Sequence, residues 1–113
     1  MNIQIFGKTK CFDTKKAERY FKERGIKYQL VDILRYGLSP GEYESVKRAM
    51  GSMDALIDTK SKEYSKLHIA YLSDRADVEE RLRENPGLFC TPIVRNGKLA
   101  TVGYQPDVWK DWI

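Results

Sequence analysis

The chain has little of the material from which metal sites, disulfide scaffolds and membrane anchors are built. Two cysteines, Cys11 and Cys90, and one histidine, His68, occur in 113 residues. That inventory excludes a four-ligand Cys/His zinc site within one chain. In a reducing compartment the two cysteines are expected as thiols, with no metal and no bound cofactor. No apolar run approaches the roughly 18–20 residues that span a bilayer. The opening MNIQIFGKTK also lacks the charged, apolar, small-residue order of a secretion signal, so a cytoplasmic location without membrane contact is expected. No phosphate-loop glycine pattern or dinucleotide fingerprint is present. The net charge of +4, from 20 basic and 16 acidic residues, suits anionic substrates, but no basic stripe interleaved with aromatics predicts direct nucleic-acid binding.

What is present is a folding composition, 42% hydrophobic and 12% aromatic, in a length that suits a single domain spanning 1–113 and expected as a monomer. Asn2 to Phe6 alternates polar and apolar before Gly7, which predicts a strand. Asp13 or Thr14 offers an N-cap for a helix whose Ala17, Tyr20 and Phe21 recur at helical spacing until Gly25. Lys27 to Ile33 alternates again, so the first third reads as a strand, helix, strand unit with a parallel crossover. Ser39-Pro40-Gly41-Glu42 predicts the start of a helix ending at Gly51. Short helices follow at Met53 to Ile57 and Lys62 to Leu67, and a longer one at Asp74 to Glu84. The signal returns to strand at Pro92 to Arg95 and Lys98 to Thr101, with Asn96-Gly97 between them as a hairpin turn. Gln105 to Ile113 carries Val108, Trp109 and Trp112 at helical spacing after Pro106. The fold class is α/β, a mixed sheet with flanking helices and an all-helical insertion.

Cys11 stands between a strand end and a helix start, where unpaired N–H groups and the helix dipole favour a thiolate. Lys8, Lys10, Lys15 and Lys16 add positive potential around it. Two readings stand: an activated nucleophile suited to thiol–disulfide exchange, or an inert cysteine packing the turn. Thr14, three residues on, is placed to donate to the sulfur or to cap the helix. Cys90 either reaches Cys11 as a resolving thiol or packs beside Phe89. Thr91-Pro92 is a candidate cis peptide. His68 reads as a surface or half-buried ring, and Tyr104, Trp109 and Trp112 as packing for the last helix.

The segments IFGKTKCFDTKKA, TKSKEYSKL, NPGLFCTPIV and GKLATVGY, in this order and spacing, resemble the family that joins glutaredoxin-like arsenate reductases to the Spx transcription regulators. The resemblance runs from Asn2 to Trp112. It implies a thioredoxin-like (glutaredoxin-like) sheet with a helical insertion at about 39–86, and a cis Pro92 facing the Cys11 loop. Cys11 matches the reactive cysteine, with Lys10 and Thr14 completing the catalytic loop. Thr14 stands where Spx members carry the second cysteine of a C-x-x-C pair, so the Spx disulfide switch is absent. Arsenate reductases hold their oxyanion with arginines. The three matching places here are Thr91, a position near Asp58 and one near Tyr104 or Gln105, none of them arginine, so the guanidinium forks are missing. Lys8, Lys60 and Arg95 are left to compensate in part, with Thr91 and Pro92 beside the substrate.

The resemblance thus implies two functions. One is a reductase in which Cys11 attacks an oxidised substrate and glutathione, a protein thiol or Cys90 resolves the product. The other is an Spx-type regulator that binds the C-terminal domain of the RNA polymerase α subunit through the region of Gly51. A helix-ending glycine alone also explains Gly51.

Overall fold

The computed structural model describes residues 2–113. Alternation along the first strand, β1 (Ile3–Gly7), sends Ile3 and Ile5 to one face of the sheet and Phe6 to the other. Helix α1 (Phe12–Glu23) returns the chain to β2 (Tyr28–Asp32), which lies parallel to β1 with Ile3 opposite Tyr28 and Gly7 opposite Asp32. A single helical turn, α2 (Ile33–Tyr36), follows immediately, capped by the Asp32 carboxylate accepting from the Leu34 N–H. The sequence pattern had extended the strand through Ile33, but a short polar side chain at the N-cap turns the backbone into a helix there.

Helix α3 (Pro40–Met50) opens with a capping box: Ser39 Oγ accepts from the Glu42 N–H, and the Glu42 carboxylate accepts from the Ser39 N–H. It ends at Gly51, whose φ of +84° is the left-handed conformation that glycine adopts without strain. A 3₁₀ turn at Met53–Leu56, α4 (Lys62–Lys66), a turn at Ile69–Tyr71, α5 (Arg75–Glu84) and a turn at Pro86–Leu88 complete the helical stretch. Helical character from 39 to 86 is therefore as expected, with one addition: Ile57 and Phe89 form an isolated antiparallel bridge that lays 56–58 along 88–90.

Strand β3 (Ile93–Asn96) pairs antiparallel with β1, and β4 (Leu99–Val102) antiparallel with β3, giving the order β2-β1-β3-β4. The hairpin turn lies one residue later than Asn96-Gly97. Asn96 pairs with Leu99, so the loop is Gly97-Lys98, with positive φ at the glycine alone. That is the combination of a type II′ turn, in which glycine takes the first loop position. Helix α6 (Pro106–Trp109) and a 3₁₀ turn at Lys110–Trp112 end the described chain.

The sheet is covered on both faces. Phe6 and Ile93 pack with Tyr43, Val46, Leu56, Leu82 and Phe89 of the helical stretch. Ile3, Ile5 and Val94 pack with Ala17, Phe21 and Trp109 of α1 and α6. Burying each such side chain contributes about 1.5–3 kcal/mol. The Trp109 indole N–H donates to Thr101 Oγ1 at 2.8 Å, tying α6 to β4 within the core. No helix is long and apolar enough to cross a membrane among the described residues.

Candidate active site at the start of helix α1

Cys11 is itself the N-cap of α1, with extended backbone angles, and neither Asp13 nor Thr14 takes that position. No side chain closes the cap, so the sulfur faces the first-turn N–H groups where a serine or aspartate oxygen commonly sits. A turn bond from the Cys11 N–H to the Lys8 carbonyl, 3.1 Å, folds the loop back on β1. Across the loop the Cys11 thiol donates to the Thr91 carbonyl at 3.6 Å, next to a Thr91–Pro92 peptide that is cis. The Gly103 N–H donates to the Pro92 carbonyl, which brings Tyr104 to the same end of the sheet.

Burial, the largest influence on Cys11, pushes its thiol up. It is outweighed by the Thr14 hydroxyl, the Thr91 side chain and the backbone N–H groups of Thr14 and Asp13, which together hold the thiol below its ordinary value of 9.0. The Thr91 carbonyl acts in the opposite sense, because it accepts only from the protonated sulfur. Thr14 Oγ1 is buried and has no hydrogen-bond partner among the described residues, so the hydroxyl stands in reserve for the thiolate. Its position depends on Gly7: a methyl group there would come within 2.6 Å of Thr14 Oγ1. Only a glycine lets the first turn of α1 settle this closely on β1.

The other residues named from the sequence divide clearly. Lys10 is exposed beside the thiol loop. Lys8 is half-buried, and its ammonium donates to the carbonyls of Gly87 and Phe89, both at 3.1 Å, and so clamps the segment leading to Thr91. The fold does not bring Arg95 to the Cys11 loop. Its guanidinium bonds Gln4 and Ser45 on the α3 face of the sheet, at the end of β3 away from the Cys11 loop. Lys60 is exposed on the turn after Asp58. Asp58 itself lies near Cys90, where burial first and the Asp58 carboxylate second push the Cys90 thiol up. The Lys8 ammonium acts on the same thiol in the opposite sense, by a smaller amount. Both cysteines are free thiols, and Cys90 is the less readily ionised of the two. Gly51 lies at the far end of α3, with open space where a side chain would project. No cluster of metal-ligating side chains forms among the described residues.

Two features of the site exist only in the folded chain. Gly7 looked like a strand terminator, and its contact with Thr14 is visible only once α1 is docked. The second is a cleft of about 340 Å³ between α1 and β2, lined by Thr14, Lys15, Glu18, Leu30, Val31 and Tyr36 among others.

A mixed sheet of order β2-β1-β3-β4 with a lone cysteine capping the first helix opposite a cis proline defines a thioredoxin-like thiol protein. NrdH-redoxin from Escherichia coli superposes with a TM-score of 0.52 at 17% identity, covering all of this chain and 96% of its own. An arsenate reductase from Vibrio cholerae superposes with a TM-score of 0.83 at 24% identity, over 100% and 98% of the two chains. The chain belongs to the ArsC family, whose model matches residues 6–112. Among curated relatives, global transcriptional regulator Spx 2 of Oceanobacillus iheyensis is 32% identical over 111 residues, 95% of this chain and 80% of that one. Global transcriptional regulator Spx of Staphylococcus aureus is 30% identical over 107 residues, 93% and 82% of the two.

Proposed function

We propose that this chain is a thiol oxidoreductase of the ArsC family in which Cys11 attacks a disulfide, not arsenate. The observation that carries the proposal is the N-cap position of Cys11, where Thr14 and the first-turn N–H groups overcome the effect of burial on the thiol. The Cys11 thiolate attacks one sulfur of a substrate disulfide, the S–S bond breaks, and the departing sulfur leaves as a thiolate that takes a proton from water. A second thiol, from glutathione or a protein in the reducing cytoplasm, attacks the mixed disulfide and frees Cys11. Another equivalent of that thiol completes the two-electron reduction, and the reductant leaves as its own disulfide. Cys90 is a poor resolving thiol, since burial and Asp58 disfavour its ionised form. The absence of arginine at Thr91, near Asp58 and near Tyr104 or Gln105 argues against arsenate, whose charge calls for guanidinium forks. The test is turnover of a glutathione mixed disulfide: Cys11→Ser abolishes it and Cys90→Ser leaves it intact if the proposal holds.

A second reading is favoured by the two Spx relatives together with Gly51, exposed at a helix end with open space around it. In it the chain binds the C-terminal domain of the RNA polymerase α subunit without a redox switch. Saturable binding that survives Cys11→Ser and is lost in Gly51→Asn supports it. Asparagine tolerates the left-handed conformation and adds a side chain to the surface.

A further inference from the structure

The loop that carries Cys11 and the segment that leads to Thr91 are joined by few bonds. Strand β1 ends at Gly7, and Lys8 opens the loop, its carbonyl accepting from the Cys11 N–H at 3.1 Å. Across from it, residues 88–90 are fixed on one side to the helical stretch: the Leu88 carbonyl accepts from the Asp58 N–H, and the Cys90 N–H donates to the Leu56 carbonyl. Successive carbonyls of an extended chain point to opposite sides, so the Phe89 carbonyl turns the other way. There the Lys8 ammonium meets it together with the Gly87 carbonyl. Lys8 is half-buried and forms no ion pair among the described residues, although Asp58 lies near Cys90, Glu63 stands against Gly87 and Asp32 lines the same cleft. Among the described residues, the other hydrogen bond between loop and segment is that of the Cys11 thiol to the Thr91 carbonyl.

The thiol tie exists only while the sulfur keeps its proton. Once ionised, the sulfur has nothing to donate, and a thiolate faces the lone pairs of the Thr91 carbonyl. Loop and segment then repel each other at the point of attack, and the Lys8 bonds are what holds them. We infer that Lys8 is a positioning residue for the reaction of Cys11, keeping the 87–91 segment in place when the thiol bond to Thr91 is gone. The inference rests on the reading of Cys11 as an attacking thiolate. An ammonium suits the task, because bonds from a charged donor are roughly twice as strong as neutral ones. Lys8 acts through the segment and not by its charge on the sulfur: burial, Thr14, Thr91 and Asp13 are the influences on the Cys11 thiol, and Lys8 is not among them.

The test is made in Cys90→Ser protein with two disulfides, the anionic dithiobis(nitrobenzoate) and the neutral dithiodipyridine, and with the pH profile of Cys11 alkylation by iodoacetamide. The Cys11 thiolate bonds to one sulfur of each reagent, the S–S bond breaks and the other half leaves as its thiolate, so single-turnover release of the leaving thiol needs no further reductant. Lys8→Met keeps a side chain of similar length and removes every donor. It is expected to slow both disulfides by the same factor, about tenfold, against the roughly hundredfold that a misplacement of about 1 Å can cost. With Thr91 no longer held beside the sulfur, the alkylation midpoint moves up. Lys8→Arg, whose guanidinium also donates to two carbonyls, restores both readouts. Urea unfolding checks that the variant is folded; if Lys8→Met is not, Lys8→Gln, with its single neutral donor group, is measured in the same way. An unmoved midpoint, or an arginine variant that does not restore both readouts, overturns the inference. Slowing confined to the anionic disulfide overturns it as well and makes Lys8 a substrate ligand. If the parent reacts with neither disulfide, the disulfide reading itself fails, and the alkylation profile still decides on Lys8.

Discussion

Replacing Thr14 by valine separates the chemistry of the thiol site from its architecture. Thr14 is 4% exposed, and its Oγ1 has no partner among the described residues, so the folded protein carries a buried hydroxyl that water once solvated. An unsatisfied buried hydroxyl costs about 1–3 kcal/mol. Valine keeps the branched shape that packs on Gly7 and removes the polar atom, so Thr14→Val is expected to be as stable as the parent at pH 6, or more stable by about 1 kcal/mol. The pH dependence runs the other way. Because the folded Cys11 thiol lies below its ordinary 9.0, ionisation stabilises the folded state above that value, and the contribution is lost as pH falls through the folded value. Without the Thr14 hydroxyl the folded value rises, so the parent gains stability on the variant as pH increases toward 9. Urea unfolding at a series of pH values, paired with iodoacetamide alkylation of Cys11, measures both effects. A Thr14→Val protein that is destabilised at pH 6 and alkylates with an unchanged pH profile would refute the account.

Other expectations follow from single contacts. Gly7→Ala forces a methyl group against Thr14 and is expected to cost about 1–3 kcal/mol in urea unfolding while raising the Cys11 thiol. Glu79 is held below its ordinary 4.5 by hydrogen bonds from Lys47 and from the buried Tyr43 hydroxyl. Its stabilisation is present above 4.5 and disappears as pH falls through the folded value, so Glu79→Gln should flatten the acid limb of the stability curve. Trp109→Phe removes the bond to Thr101 and leaves a void under α6, an expected loss of about 2 kcal/mol by the same unfolding assay. Arg95→Ala, which frees only Gln4 and Ser45, should leave the Cys11 alkylation rate unchanged.

The strands and the larger helices were legible because their signals are local. Alternation in NIQIF, the Ser39 capping box and the glycine of the hairpin each act within four residues. The hairpin register slipped by one because Asn-Gly and Gly-Lys are both workable two-residue turns, and pairing with β1, a long-range matter, selects between them. Position and resemblance name Cys11, Thr14, Thr91 and Pro92, and the fold brings Cys11, Thr91 and Pro92 to one place. The partners of the basic side chains were not legible: Lys8 donates to two backbone carbonyls far off in sequence, and Arg95 bonds Gln4 and Ser45 across the sheet. The cleft beside α1 was not legible because alternation over Lys27 to Ile33 does not say which strand residues α1 covers, and only its placement leaves Leu30 open.

Whether the fold activates Cys11 is read from the pH dependence of its alkylation in Cys90→Ser protein. The expected midpoint lies below the ordinary thiol value of 9.0 and moves up in Thr14→Val. A midpoint at or above 9.0, unmoved by the loss of the Thr14 hydroxyl, would contradict it and leave Cys11 as a packing residue in a protein that works through its surface.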